Sequence, residues 1–396
     1  MAKASRLKVA RAILSTPGII RARPSVNLFL CGYLRKFTPV EVHGKIFIHS
    51  HLPPLNSNAY RRFVREHLLG GSRGPSHAQI GVTNICPQNC SYCYNKGRAG
   101  KPLDTATILD TVRQLQDMGV FWIGLTGGEP LMNVDLPRII RAIGERSASK
   151  LFTTGATLTP ERVKALGDAG LDSVSVSLDH WVEEDHDRVR GAQGAYRAAL
   201  RAIELFLDDG RIHVGVSAVL SPAMLAPGVV MHYLEFLSSL GIHEAWLSET
   251  KPIPGAAADG VIADVDRDLL IWVQDTWNAK GGMTVNYLGH FEGAQHFGCS
   301  AGNKMVYIDP FGEVSPCVFI PMTFGNVREV PVRRIFADMR SRFPTEDRCF
   351  VNRNASVLAR HASGNGPIPR RESISILDSL AHRGKPRFFK LLERKA

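Results

Sequence analysis

The chain has 396 residues, of which 44% are hydrophobic and 21% charged, with seven cysteines and a formal net charge of +11. That length accommodates a catalytic domain with appended modules, and the apolar fraction supports a sizeable core. No uninterrupted apolar stretch is long enough to span a bilayer, and neither an internal repeat nor a long low-complexity tract is present.

The positive charge belongs to the ends. Residues 1–40 hold eight Lys/Arg and no acid, and residues 359–396 hold nine Lys/Arg against three acids. Leu7, Val9, Ala10, Ile13 and Leu14, interleaved with Lys8 and Arg11, predict a basic, partly amphipathic helix that stops near Pro17. Phe388-Phe389-Lys390-Leu391-Leu392 forms a second such patch. Basic amphipathic segments dock on anionic membrane surfaces or hold an acidic partner; solvated ends without a partner carry the same pattern. An acid-free start containing Arg is also a transit-peptide pattern, but here it runs on into apolar sequence with the character of fold, and the marks of a secretion signal are missing. Cys31, in the apolar run from Val26 to Tyr33, is read as a buried thiol.

Residues 1–76 form this basic segment and a small lead-in module, with a hairpin over Val40 to Ile48 and a helix over Tyr60 to Leu69. Apolar strand runs then alternate with amphipathic helices, which argues for a parallel α/β sheet. Strands are predicted at His77 to Thr83, within Val120 to Leu125, and at Leu151 to Thr154, Ser173 to Leu178, His213 to Leu220 and Glu244 to Glu249. A helix over Thr105 to Met118 places Ile108, Val112 and Leu115 on one face. Ligands of such sheets sit at the carboxyl ends of the strands.

Directly after the first predicted strand comes Cys86-Pro87-Gln88-Asn89-Cys90-Ser91-Tyr92-Cys93. Soft thiolates suit iron–sulfur clusters or zinc. A structural zinc site is closed by a fourth ligand, and this loop supplies only three thiolates. A four-iron cluster held by three cysteines leaves one iron open to a further ligand. Thr126-Gly127-Gly128-Glu129-Pro130 follows the next strand, with glycines that let the backbone approach a ligand closely.

These two motifs, in this order and separated by one predicted helix, resemble those of the radical S-adenosylmethionine (SAM) enzymes. The resemblance implies a partial (β/α)6 TIM-like barrel over residues 77–290 and a 4Fe–4S cluster held by Cys86, Cys90 and Cys93 that binds SAM. It places Tyr92, Gly127, Gly128, Glu129 and Thr154 on the SAM side of the site, and Ser177 and Asp179 near its ribose or carboxylate. His186-Asp187-Arg188-Val189-Arg190-Gly191 is similar to a His-Asp-x-x-Arg-Gly segment of the group, in which Arg190 would bind the SAM carboxylate through its planar fork. Each of these polar residues also has an ordinary reading as a loop contact or helix cap.

Cys299, the turn Asp309-Pro310-Phe311-Gly312 and Cys317, followed by Gly325-Asn326-Val327, resemble the start of the SPASM or shorter twitch extension, read here over residues 291–358. Cys349 supplies a third thiolate to this auxiliary iron–sulfur cluster. Its fourth ligand is not among the cysteines, which leaves a non-cysteine side chain, a substrate atom or water. Read without the resemblance, the three are buried small hydrophobes or a zinc site. Residues 359–396 form a basic tail, entered through a linker at Pro367 to Pro369.

The activity so implied is reductive cleavage of SAM to a 5′-deoxyadenosyl radical, which takes hydrogen from an unreactive carbon of a peptide or small molecule, for oxidation or crosslinking. The cofactors carry the difficult chemistry and the protein positions and excludes water, so no residue is singled out as catalytic. A reducing partner such as flavodoxin or ferredoxin is expected, in a reducing, cytoplasmic setting, with peripheral attachment to a membrane as an option. The alternatives are a lipid- or isoprenoid-modifying radical SAM enzyme at a membrane face and a non-catalytic iron–sulfur protein. No complete cobalamin domain is recognisable. No aromatic-rich basic motif of the stacking type points to nucleic acid.

Overall fold

The computed structural model describes residues 3–226, 228–252, 261–362, 366–381 and 384–393. The basic N-terminal helix α1 (Arg6–Leu14) opens at Ser5, whose hydroxyl accepts from the Lys8 N–H, and leaves Leu7 and Leu14 exposed. Helix α2 (Pro24–Leu34) starts on a proline and buries Val26, Phe29 and Tyr33. Cys31 falls on the opposite face of α2 and is exposed, which corrects the reading of a buried thiol. The run is apolar all round, but one face alone is covered.

The expected hairpin forms from β1 (Val40–Val42) and β2 (Lys45–Phe47), turned at His43 and Gly44, both with positive φ. Helix α3 (Asn58–Arg62) then widens into a π-helical stretch through Leu69. Between hairpin and helix, His49-Ser50-His51 enters the sheet at the amino-terminal ends of its strands. Trp122 Nε1 donates to the Ser50 carbonyl at 2.8 Å, Lys150 Nζ donates to Ser50 Oγ at 2.5 Å, and the Ser50 N–H donates to Glu244 at 2.9 Å. The lead-in segment therefore places a polar plug at that end of the barrel, paired through Ser50, while His49 Nδ1 and His51 Nδ1 are buried without a hydrogen-bond partner.

The sheet runs through β3 (His77–Gly81), helix α4 (Thr105–Asp117), β4 (Trp122–Thr126), α5 (Leu136–Ile143), β5 (Ala148–Thr153), α6 (Pro160–Asp168) and β6 (Ser173–Ser177). It continues through α7 (Glu183–Arg190), α8 (Ala195–Asp209), β7 (His213–Leu220), α9 (Val229–Ser239) and β8 (Glu244–Glu249). These six strands pair in parallel in chain order, as the sequence predicts. Strand centres such as Ile80, Leu125, Leu151, Val174 and Val216 are buried, and Ile108, Val112 and Leu115 of α4 pack against them.

Two further parallel strands extend the sheet. Helix α10 (Asp264–Lys280) leads to β9 (Thr284–Tyr287), which pairs with β8, and the short helix α11 (Leu288–Phe291) follows. At the other edge β10 (Met305–Ile308) pairs in parallel with β3 and carries the antiparallel β11 (Val314–Ser315). The result is an open nine-stranded sheet, ordered β11-β10-β3-β4-β5-β6-β7-β8-β9. Helices α12 (Val332–Arg342), α13 (Phe350–His361), α14 (Arg370–Ser379) and α15 (Arg387–Leu392) complete the carboxyl-terminal region. Phe388 of α15 packs on Phe29 of α2 and on Phe297, so the two ends of the chain meet. Among the described residues no helix is long and apolar enough to cross a membrane.

Candidate functional site

A cavity of about 570 Å³ opens at the carboxyl ends of the strands. Its wall includes Cys86, Cys90 and Cys93 and also Cys299 and Cys317, so the sheet brings both cysteine groups to one space. The first group lies on the loop after β3. Burial pushes the Cys86 thiol up to about 11 and raises that of Cys90 as well. The Gln88 backbone N–H is aimed at the Cys86 sulfur, and Arg190 Nη1 lies 3.9 Å from the Cys90 sulfur. Thiols so buried, yet supplied with donors, suit thiolates whose charge a bound metal cluster compensates.

The Gly-Gly-Glu-Pro turn is built against this loop. The Gly128 N–H donates to the Thr83 carbonyl and the Glu129 N–H to the Ile85 carbonyl, each at 2.7 Å. A Cβ on Gly127, whose φ is +127°, would lie 2.3 Å from Thr83 O, and one on Gly128 would lie 2.3 Å from Ile85 O. The close approach the glycines permit is thus to the backbone entering the cysteine loop. Glu129 is fully buried and lines the cavity, but its carboxylate is occupied. It accepts from the Leu131 N–H, from Thr153 Oγ1, and from both the N–H and the hydroxyl of Thr154. Burial raises its pKa despite these donors.

Asp179 does not line the cavity. One of its oxygens, Oδ2, takes the Tyr92 hydroxyl at 2.6 Å and pairs with Arg190 Nε at 2.8 Å; the other accepts from the Val219 N–H. Its backbone N–H donates to His186 Nδ1, which explains the histidine of the His-Asp-x-x-Arg-Gly segment. Asp187 in turn accepts from the N–H groups of Gly194 and Tyr196 and caps the start of α8. Arg190 does reach the cavity wall, with its guanidinium over the Tyr92 ring at 5.6 Å, and Ser177 lines the wall beside Ser217. The structure therefore brings Tyr92, Gly127, Gly128, Glu129, Thr154, Ser177 and Arg190 to the cavity and sets Asp179 behind them as a holder.

The second cysteine group is gathered by three elements. Cys299 lies before β10, Cys317 after β11, and Cys349 just before α13. All three are raised by burial first, Cys317 to about 12. Backbone N–H groups point at each sulfur: Ala301 and Phe350 at Cys299, Phe319 at Cys317, and Val351 and Asn352 at Cys349. Such donors suit thiolate ligands of an iron–sulfur cluster. The predicted turn is present, with Asp309 Oδ1 accepting from the N–H groups of Phe311 and Glu313 and with Gly312 at φ +91°. Among the described residues no three His, Cys, Asp or Glu side chains are grouped as ligands for a single metal ion.

Sequence reasoning missed the groups that join these parts. Arg98 and Asp309 form a buried ion pair at 2.9 Å between the cysteine loop and the β10–β11 turn. Tyr94 shares a hydrogen bond with Thr126 at 2.6 Å, packs edge-on to Phe319, and lies near both Cys93 and Cys317. Its place directly after Cys93 was the available signal. Lys251, 1% exposed, bridges Glu249 at 3.2 Å and Glu292 at 3.3 Å. Glu249 also accepts from Tyr287, Arg267 and Asn352. No sequence spacing announces that network.

Comparison with known proteins accords with this geometry. Residues 80–237 match the family model of the radical SAM superfamily, and residues 299–354 match that of an iron–sulfur cluster-binding domain, SPASM. The chain is 26% identical over 269 residues to the PqqA peptide cyclase of Gluconobacter oxydans, spanning 64% of this chain and 74% of that one. It is 26% identical over 285 residues to the AdoMet-dependent heme synthase of Methanosarcina barkeri, spanning 64% and 80%. The crystal structure of Streptococcus suis SuiB bound to precursor peptide SuiA shares the fold with a TM-score of 0.60 at 17% identity, covering 78% of this chain and 79% of that chain. With both models matched in order along one sheet, the chain belongs to the radical SAM superfamily and is an enzyme of that class, using a 4Fe–4S cluster, SAM and an auxiliary iron–sulfur domain.

Proposed function

We propose that Cys86, Cys90 and Cys93 hold the cluster at which SAM is cleaved, that Cys299, Cys317 and Cys349 hold one auxiliary cluster, and that the substrate is a peptide brought to net oxidation or crosslinking. The observation that carries this reading is the single cavity lined by residues of both cysteine groups. A substrate between them is within reach of hydrogen abstraction at one end and electron transfer at the other. The bound cluster and SAM together supply the radical that takes hydrogen from carbon. The chain's own part is positional. Arg190, held by Asp179, offers a cation at the wall for a carboxylate, while Glu129 ties the ends of β4 and β5 that carry the SAM side of the site. The relatives named for a peptide cyclase and crystallised with a precursor peptide support a peptide substrate. Flavodoxin or ferredoxin in the cytoplasm would supply the electron.

Anaerobic reconstitution with dithionite and SAM is expected to release 5′-deoxyadenosine from the parent protein and none from Cys86→Ala, Cys90→Ala or Cys93→Ala. Full cleavage by any of the three variants would sink the assignment.

A second reading has its own observation. The outer wall of the cavity is apolar and built from the chain ends, with Leu30, Leu34, Phe297, Phe388 and Leu392 among its residues. Leu7, Leu14, Ile20 and Leu28 stand exposed nearby in sequence, amid the acid-free basic segment. That combination favours an amphiphilic lipid or isoprenoid substrate collected at an anionic membrane surface.

A further inference from the structure

We infer that the carboxylate of Glu292 is the fourth ligand of the auxiliary cluster, completing the set begun by Cys299, Cys317 and Cys349. The inference rests on the assignment of that cysteine group as a cluster site.

Glu292 follows α11 directly, and its backbone N–H is fixed on the Leu288 carbonyl at 2.9 Å. It lines the same cavity wall as Cys299 and Cys317. Its Oε2 accepts from Lys251, whereas Oε1 has no hydrogen-bond partner among the described residues. Glu292 is near enough to interact electrostatically with all three thiols. Lys251 engages one carboxylate oxygen and leaves Oε1 available on the cavity wall that Glu292 shares with Cys299 and Cys317. Carboxylate oxygen is an established donor to iron, and four anionic ligands around a cluster leave an excess negative charge that Lys251 sits beside. Glu249, through Lys251 and Asn352, holds this cation and the start of α13 in place.

The competing side chain is Asn352, three positions after Cys349. Its Oδ1 is buried without a partner, but its amide nitrogen is committed to Glu249 at 2.7 Å and its oxygen carries no charge. A cluster closed by Glu292 has no iron free for the substrate, so the auxiliary site does not anchor substrate through the metal.

The test uses the full-length protein with Cys86, Cys90 and Cys93 all replaced by Ala, so that only the second cluster assembles. After anaerobic reconstitution and reduction, ¹³C-cyanide is added and the cluster's paramagnetic spectrum is examined for ¹³C coupling. The parent background is expected to show none. Glu292→Ala opens the iron and the coupling appears, while Glu292→Cys restores the closed site with unchanged iron content and a lower midpoint potential. Equal coupling with and without Glu292 would overturn the inference, because the iron would be open in both. Coupling that appears with Asn352→Ala and not with Glu292→Ala would give the role to Asn352. An iron-free background would remove the auxiliary cluster altogether, whereas SAM cleavage at the first cluster would still be judged separately in the parent protein.

Discussion

Asp179→Asn tests how the part of the cavity wall built by Arg190 and Tyr92 is held. The substitution keeps the side chain's size but removes the charge opposite Arg190, whose side chain is 7% exposed against 3% for Asp179. Breaking a buried ion pair from one side costs about 3–5 kcal/mol, because the remaining charge stays out of water. That is a large share of the roughly 5–15 kcal/mol that holds a domain together. Arg190→Met should cost a similar amount, since Asp179 keeps only the Tyr92 hydroxyl and the Val219 N–H. The double variant should fall short of the sum by about 2 kcal/mol or more, the signature of groups that act on each other. Urea unfolding of the cluster-free protein under reducing conditions, followed by tryptophan fluorescence, gives all three values. Single losses below about 1 kcal/mol, the worth of an exposed pair, or strictly additive losses, would refute the holding role.

Acid should destabilise the cluster-free protein through its buried neutral histidines. Burial lowers His49 to about 3 and His67 to about 4, so the unfolded chain binds more protons below the ordinary value of 6.5. The stabilisation is complete above pH 6.5 and is lost as pH falls, at up to about 1.4 kcal/mol per pH unit for each histidine; a flat urea midpoint between pH 7 and about pH 5 would contradict this. Gly128→Val should lose iron from the first cluster together with SAM affinity, because its side chain displaces Ile85 next to Cys86; normal iron with weakened SAM binding would show that the turn contacts the ligand alone. Liposome flotation should reveal binding to acidic lipid that fades with salt, at about 1 kcal/mol per basic residue near the surface; equal recovery with neutral liposomes would reject electrostatic docking.

The sequence made the sheet legible where a strand is a continuous apolar run bounded by turn residues. The predicted limits of β7 and β8 are those observed. It did not reveal β9, only four residues long, nor that β10, which leads into the predicted Asp309–Gly312 turn, pairs with a strand more than two hundred positions earlier. The cysteine loop and the Gly-Gly-Glu-Pro turn announce themselves through spacing. Their supporting contacts do not. Asp179 sits at a strand end and reads as a ligand contact until Tyr92 and Arg190 are seen to claim its carboxylate. Glu292 has no motif, because its meaning comes from Lys251 and three cysteines brought together only by the fold. Cys31 was misread because an apolar run does not say which face of its helix is covered.

The meeting of α2 with α15 couples the two ends of the chain to the opening of the cavity. Neither helix contributes a strand to the sheet, and they meet in a small apolar cluster of their own. Their contact can therefore part while every strand remains paired, as a local opening far less costly than global unfolding. The part of the cavity wall that these helices line, with Leu30, Leu34, Phe388 and Leu392, is thus built outside the sheet. Amide exchange in α2 and α15 should accordingly be faster than in β4 to β8. Deleting α15 would uncover Phe29 and Phe297, which lose the ring of Phe388, while Tyr33 would still hold α2 on His49, His290 and Phe297.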